Sequence, residues 1–165
     1  MTLAQAEPDE HNDDDQQRGL LLSIQPRHAA AILAGTKTVE LRRRAPRDID
    51  GATIVLYASG AVRAVVGTVQ VATIQNGSPD AIWRQFRQDI GITKPEFDVY
   101  FTGTDEAYAL VLTDPTLAPN PMPLPDLRRH DLEPPQSWRY LTRTVIRTLR
   151  VALGLNDGSA CFASR

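Results

Sequence analysis

Gly35-Thr36-Lys37-Thr38-Val39-Glu40-Leu41-Arg42-Arg43-Arg44 joins the end of a helix to the start of a strand. Upstream, Ala29, Ala30, Ile32 and Leu33 carry a helix that Pro26 can open and Gly35 can close as a left-handed cap. From Thr38 to Arg42 the side chains alternate across a strand, with Thr38, Glu40 and Arg42 on one face and Val39, Leu41 and Arg43 on the other. If Val39 and Leu41 face the core, Glu40 and Arg42 are expected to point outward together beside Lys37. A carboxylate between two cations can accept the N–H groups of a base edge while Lys37 and Arg42 hold a phosphate or a carbonyl. It can equally serve as a general base. An ordinary ion pair on the exposed face of a strand accounts for the same spacing.

Outward from that stretch, the pattern is mixed. Leu20-Leu21-Leu22-Ser23-Ile24 reads as a first strand, Asp48-Ile49-Asp50-Gly51 as a turn, and Thr53 to Ala58 and Ala64 to Val71 as further strands joined through Ser59-Gly60. Ser78 to Ile90 sets Ile82, Trp83, Phe86 and Ile90 at helical spacing. Pro95 to Phe101 reads as a short helix ending at Gly103, and Glu106 to Thr113 as a strand. Seven prolines between Pro115 and Pro135 predict an extended path with little regular structure, open to a protein partner. A closing helix over 136–153 would place Trp138, Leu141, Val145 and Leu149 on one stripe, with Trp83 and Trp138 in the core. The expected fold is α+β, a small mixed barrel of five to six strands with peripheral helices.

The chain has 165 residues, 42% of them hydrophobic, enough for one domain with a buried core. No apolar run approaches the ~18–20 residues of a membrane span, and the first residues lack the pattern of a signal peptide, so a cytoplasmic address is expected. Cys161 is the only cysteine, which removes disulfides and thiolate metal sites. His11, His28 and His130 lack zinc spacing. No dinucleotide or phosphate-loop fingerprint occurs, so neither cofactor nor metal is expected. Residues 1–18 hold six of the 20 acids and one of the 18 bases, so residues 19–165 carry 17 bases against 14 acids. The acidic head reads as a disordered tail, with mimicry of nucleic acid over a basic patch as the other reading. The domain is expected over 19–153, with 154–165 a flexible tail.

Several further residues are candidates. Tyr57 and Ser59 share a face at a strand end and could line the same cleft as Lys37. Gln136 and Ser137 could contact a ligand or cap the last helix. Arg139, Arg143, Arg147 and Arg150 would form a ridge on that helix, and with Arg43 and Arg44 could meet a nucleic-acid backbone. A solvated helix face explains the ridge as well.

Gly35-x-Lys37-x-x-Glu40-x-Arg42 resembles the signature of the ASCH domain family, within the PUA-like superfamily. Leu22-Ser23-Ile24-Gln25-Pro26, Tyr57-Ala58-Ser59, Tyr100-Phe101-x-Gly103, Ala107-Tyr108-Ala109-Leu110 and Pro134-Pro135-Gln136-Ser137-x-x-Tyr140-Leu141 resemble that family too. The resemblance, over roughly Leu20 to Arg150, implies a β-barrel with a cleft at the signature loop. It implies a module binding RNA, a nucleotide or a modified nucleoside through Lys37, Thr38, Glu40 and Arg42, with Tyr57, Ser59, Gln136 and Ser137 nearby. An enzymatic alternative stays open. A metal-independent ribonuclease would use Glu40 as base, with Lys37 and Arg42 stabilising the charged phosphorane. An amidohydrolase acting on N4-acetylcytidine would use Lys37 and a threonine three residues later, where this chain has Glu40.

Overall fold

The computed structural model describes residues 19–155. The acidic head and residues 156–165, with Cys161 and His11, lie outside them. Strand β1 (Gly19–Ile24) is buried on both faces, because Leu20, Leu21 and Leu22 are each at most 1% exposed. Such a strand belongs at the centre of a covered sheet. It pairs in parallel with β3 (Thr53–Ala58) and antiparallel with β6 (Trp138–Leu141). Antiparallel pairing continues from β3 to β4 (Ala64–Gly77), to β5 (Ala107–Pro123) and to β2 (Val39–Arg42), giving the order β2-β5-β4-β3-β1-β6. Register shifts interrupt the long β4–β5 ladder at three places, and such bulges bend a sheet. The six strands therefore curl into an open half-barrel.

Alternation sorts the side chains into three clusters. Leu20, Leu22, Ile54, Leu56, Val69, Val71, Leu110 and Leu112 fill the inside of the curl, where helix α1 (Pro26–Leu33) adds Ala29 and Ile32. Leu21, Val55 and Tyr57 point to the back, under helices α4 (Leu124–Arg129) and α5 (Arg143–Ala152). Val39, Leu41, Ala107 and Ala109 face helices α2 (Pro79–Phe86) and α3 (Lys94–Phe101), whose Phe86, Phe97 and Phe101 cover them.

The mixed barrel with peripheral helices is the expected fold. Four details differ. The proline-rich stretch is not irregular: β5 continues to Pro123, and Leu124–Arg129 is helical, so no loop spans 115–135 for a protein partner. The helix predicted over 78–90 stops at Phe86. The predicted closing helix is two elements, strand β6 and then α5, which Thr142 rather than Gln136 or Ser137 caps by accepting from Val145 N. The arginine ridge therefore loses Arg139 to β6. Trp83 and Trp138 are only half-buried, packing at the edges of two clusters.

Gly67 shows how closely α1 plugs the curl. A Cβ there would stand 2.4 Å from Thr116 O and 2.7 Å from Leu33 Cδ2. Leu33 can rotate aside, but the Thr116 carbonyl belongs to the ladder. Gly67→Ala is expected to destabilise the fold by ~1–3 kcal/mol through overpacking. Urea denaturation reads this directly, and an unchanged midpoint would show that the β4–β5 bulge absorbs a methyl group freely.

Candidate functional site

Glu40 and Arg42 reach the inside of the half-barrel through the register of β2, with Lys37 just ahead of the strand. Glu40 lies opposite Leu110, an interior residue, whereas Leu41 lies opposite Ala109 beneath the helices. Glu40 and Arg42 thus face inward, contrary to the outward orientation expected from alternation alone. Both faces of this short strand are covered, so facing away from Val39 and Leu41 leads to the barrel mouth, not to solvent. Lys37 and Glu40 are 3% and 7% exposed.

Three charges meet there. Lys37 Nζ donates to Ile90 O at 2.5 Å and stands 3.4 Å from Glu40 Oε2. Arg42 Nε lies 3.3 Å from Glu40 Oε1, in ion-pair range but without hydrogen-bond geometry, and is a buried donor with no hydrogen-bond partner. The rest of the Arg42 guanidinium spans the gap between the sheet's two ends. Nη1 donates to Ser137 Oγ and Nη2 to Ser23 O, both at 3.2 Å. Burial pushes the Lys37 ammonium below the usual lysine range, with Glu40 pulling it back up. Gly91, in the left-handed region at φ 66°, turns the chain just after Ile90 and leaves room for the Lys37 stem beside it.

These groups form the floor of a cavity of about 600 Å³. Its walls include Ile24, Ile92, Pro95 and Val99, with Tyr100 at the rim and Arg27 and His28 of α1 opposite. Arg27 Nη1 donates to Glu96 Oε1 at 2.9 Å, tying α1 to α3 across the cavity. Glu96 also completes the α3 capping box by accepting from Thr93 N. That backbone bond, with Arg27, draws its carboxyl down to about 2. Tyr100 donates from its hydroxyl to Leu41 O at 3.4 Å, and burial raises its phenol above the usual range. A shelf adjoins the cavity at Arg42 and Tyr100, lined by Arg43, Arg44, Thr104 and Ser137.

A second cavity, of about 530 Å³, lies on the other side of Ser23-Ile24-Gln25. Tyr57, Ser59 and Gln136 line it, not the Lys37 cavity as expected, and Ser137 lines the shelf. Arg63 also lines it, a residue the sequence patterns pass over because it falls in a turn at φ 49°. Thr38 is exposed and lines neither cavity, and neither do Arg139, Arg143 or Arg147. Among the described residues no group of three or more metal-ligating side chains comes together.

His28, on α1, lines the main cavity. Burial, then the Lys37 charge, lowers its pKa below 6.5. The unfolded chain therefore takes up this proton at a higher pH than the folded one, so stability falls as pH drops below about 6.5 towards the folded value. The depressed Glu96 extends the loss: its contribution is present above 4.5 and disappears as pH falls to about 2. Thermal unfolding between pH 7.5 and 5 is expected to show a falling Tm. His28→Gln should flatten the upper part of that curve, and an identical curve in the variant would remove His28 from the account.

Comparison with known proteins places this architecture. A family model described as a domain of unknown function (DUF365) matches residues 19–122. An ASCH domain-containing ribonuclease from Zymomonas mobilis is 32% identical over 139 residues, 83% of this chain and 93% of that protein. The crystal structure of ASCH from Zymomonas mobilis superposes with a TM-score of 0.77 at 30% identity, covering 83% of this chain and 96% of that one. The N-terminal domain of Staphylothermus marinus McrB shares the fold at 12% identity, with a TM-score of 0.54 over 80% of this chain and 92% of that one. By identity, coverage and fold, the chain belongs to the ASCH domain family.

Proposed function

We propose that the chain binds single-stranded RNA, taking one base into the main cavity and the neighbouring phosphates onto the Arg43–Arg44 shelf. The observation that carries this reading is the buried Lys37–Glu40–Arg42 floor beneath apolar walls, opening onto that cationic shelf. Apolar walls favour the ring faces, the polar floor meets a base edge, and exposed arginines meet phosphate. The 32% identical relative named as a ribonuclease supports an RNA ligand. Fluorescence anisotropy with a short single-stranded RNA is expected to show affinity that falls with salt. The double variant Arg43→Ala/Arg44→Ala should bind more weakly and lower the salt slope by ~1–2. No binding at low salt would sink the proposal.

A second reading, RNA cleavage, is favoured by the same relative's name. Attack by a 2′-hydroxyl needs a proton acceptor, a proton donor and a cation near the phosphate. Tyr57, Ser59 and Arg63 line the second cavity, where the Ser59 hydroxyl donates to Ile24 O, while Glu40 and His28 line the main one. Metal-independent cleavage that vanishes in Tyr57→Phe with RNA affinity retained would assign the reaction to the second cavity. Loss in Glu40→Gln instead would assign it to the first.

A further inference from the structure

The floor of the main cavity carries a definite order of charge. Lys37 Nζ stands beside Glu40 Oε2 and Arg42 Nε beside Glu40 Oε1, so the sequence across the floor is cation, carboxylate, cation. The hydrogen-bonding capacity of this row is not used up by the protein. An ammonium has three protons, and Lys37 directs one at Ile90 O and one towards Glu40, which leaves the third. Arg42 uses both terminal nitrogens on Ser137 and Ser23 O, yet its buried Nε has no hydrogen-bond partner. Neither has the buried Ser23 Oγ in the same cavity wall. Buried polar atoms are nearly always paired, so two orphans in one wall point to a further group, a ligand or an ordered water, that completes this wall.

The edge complementary to donor–acceptor–donor is acceptor–donor–acceptor. Uracil presents that edge as a carbonyl, the imide N3–H and a second carbonyl. Cytosine would set the N3 lone pair against the carboxylate and its amino group against a cation, and adenine fails in the same way at N1 and N6. Guanine matches at O6 and N1–H but turns its amino group on the second cation. The geometry points to an imide-selective site: the cavity takes the uracil base of RNA, with N3–H on Glu40 and the two carbonyls on the flanking Arg42 and Lys37 cations. Ile24, Ile92, Pro95 and Val99 supply apolar surface for the ring faces. This deepens the RNA-binding proposal and rests on it.

The test uses the full chain and calorimetric titration with three probes: uridine 5′-monophosphate, cytidine 5′-monophosphate and N3-methyluridine 5′-monophosphate, beside single-stranded RNA. The uridine nucleotide is expected to bind at least ~10-fold more tightly than the cytidine one, the discrimination typical of a well-formed base-edge contact. N3-methylation should remove the whole advantage, because it replaces the donated proton with a methyl group. Glu40→Gln, whose amide offers both a donor and an acceptor, should bring the uridine and cytidine nucleotides within ~3-fold of each other. The wild-type comparison stands without the variant if Glu40→Gln fails to fold. Equal affinity for all three nucleotides with RNA still bound would overturn the imide selectivity and leave RNA binding intact. No binding of any nucleotide or RNA would overturn both.

Discussion

Replacing Lys37 with methionine is expected to lower the unfolding free energy by about 3–5 kcal/mol, the usual consequence of removing one partner from a buried ion pair. Methionine fills much of the same space, so the loss is electrostatic. Glu40 would keep only Arg42 as a counter-charge, and the Ile90 carbonyl would lose the ammonium that bonds it at 2.5 Å. The side chains of Lys37 and Glu40 are 2% and 9% exposed, so water reaches them only from the cavity side and replaces the lost contacts in part. A lysine beside an outward-facing Glu40 and Arg42, the orientation that alternation alone predicts, could be deleted with little effect on folding. Lys37→Met combined with Glu40→Leu should recover only part of the stability, since it removes the Lys37–Glu40 ion pair but leaves the Arg42 guanidinium without its carboxylate. It should not recover RNA binding. Chemical denaturation of the two variants checks both statements. A loss below ~1 kcal/mol in Lys37→Met would mean that the pair is solvated in solution.

Arg42→Ala is expected to be the second large perturbation, because it damages structure and binding at once. The variant removes a cation beside Glu40 and two hydrogen bonds, to Ser137 Oγ and Ser23 O. Its side chain is 12% exposed, so partial solvation reduces the electrostatic share. A stability loss of about 2–4 kcal/mol follows, smaller than that at Lys37 at the upper end. RNA affinity should fall by ~1–3 kcal/mol in addition. Arg42→Lys should not rescue either property, because one ammonium cannot reproduce a planar fork that addresses three partners. Full rescue by lysine would reduce the role of Arg42 to charge alone.

Much of this fold is legible in sequence where the local signal is strong. The strands from Leu20, Thr53 and Ala64 and the helix from Pro26 announce themselves through apolar runs and proline. The errors share one cause: local pattern does not reveal what covers a segment. Pro115, Pro119, Pro121 and Pro123 look incompatible with a strand, yet they lie in the part of β5 beyond its pairing with β2. Proline is tolerated on a strand edge that needs no donor. Trp138 and Leu141 have helical spacing from Val145, but strand β6 is only four residues long and ends at Leu141, and the side chain of Thr142 then caps a new helix. At the site, alternation separates Glu40 and Arg42 correctly from Val39 and Leu41. It cannot show that the sheet curls until the second face is enclosed as well. The division of Lys37 and Tyr57 between two cavities depends on the path of Ser23-Ile24-Gln25, which is a tertiary fact.

No backbone ladder joins β2 to β6, the two ends of the sheet. Side chains cross that gap instead: Arg42 reaches Ser137 and Ser23, and the Tyr140 hydroxyl accepts from Arg47 N and donates to Arg47 O. A seam held by single side-chain bonds can part without breaking any strand ladder, so the two ends of the sheet can shift relative to each other at far lower cost than any neighbouring pair of strands.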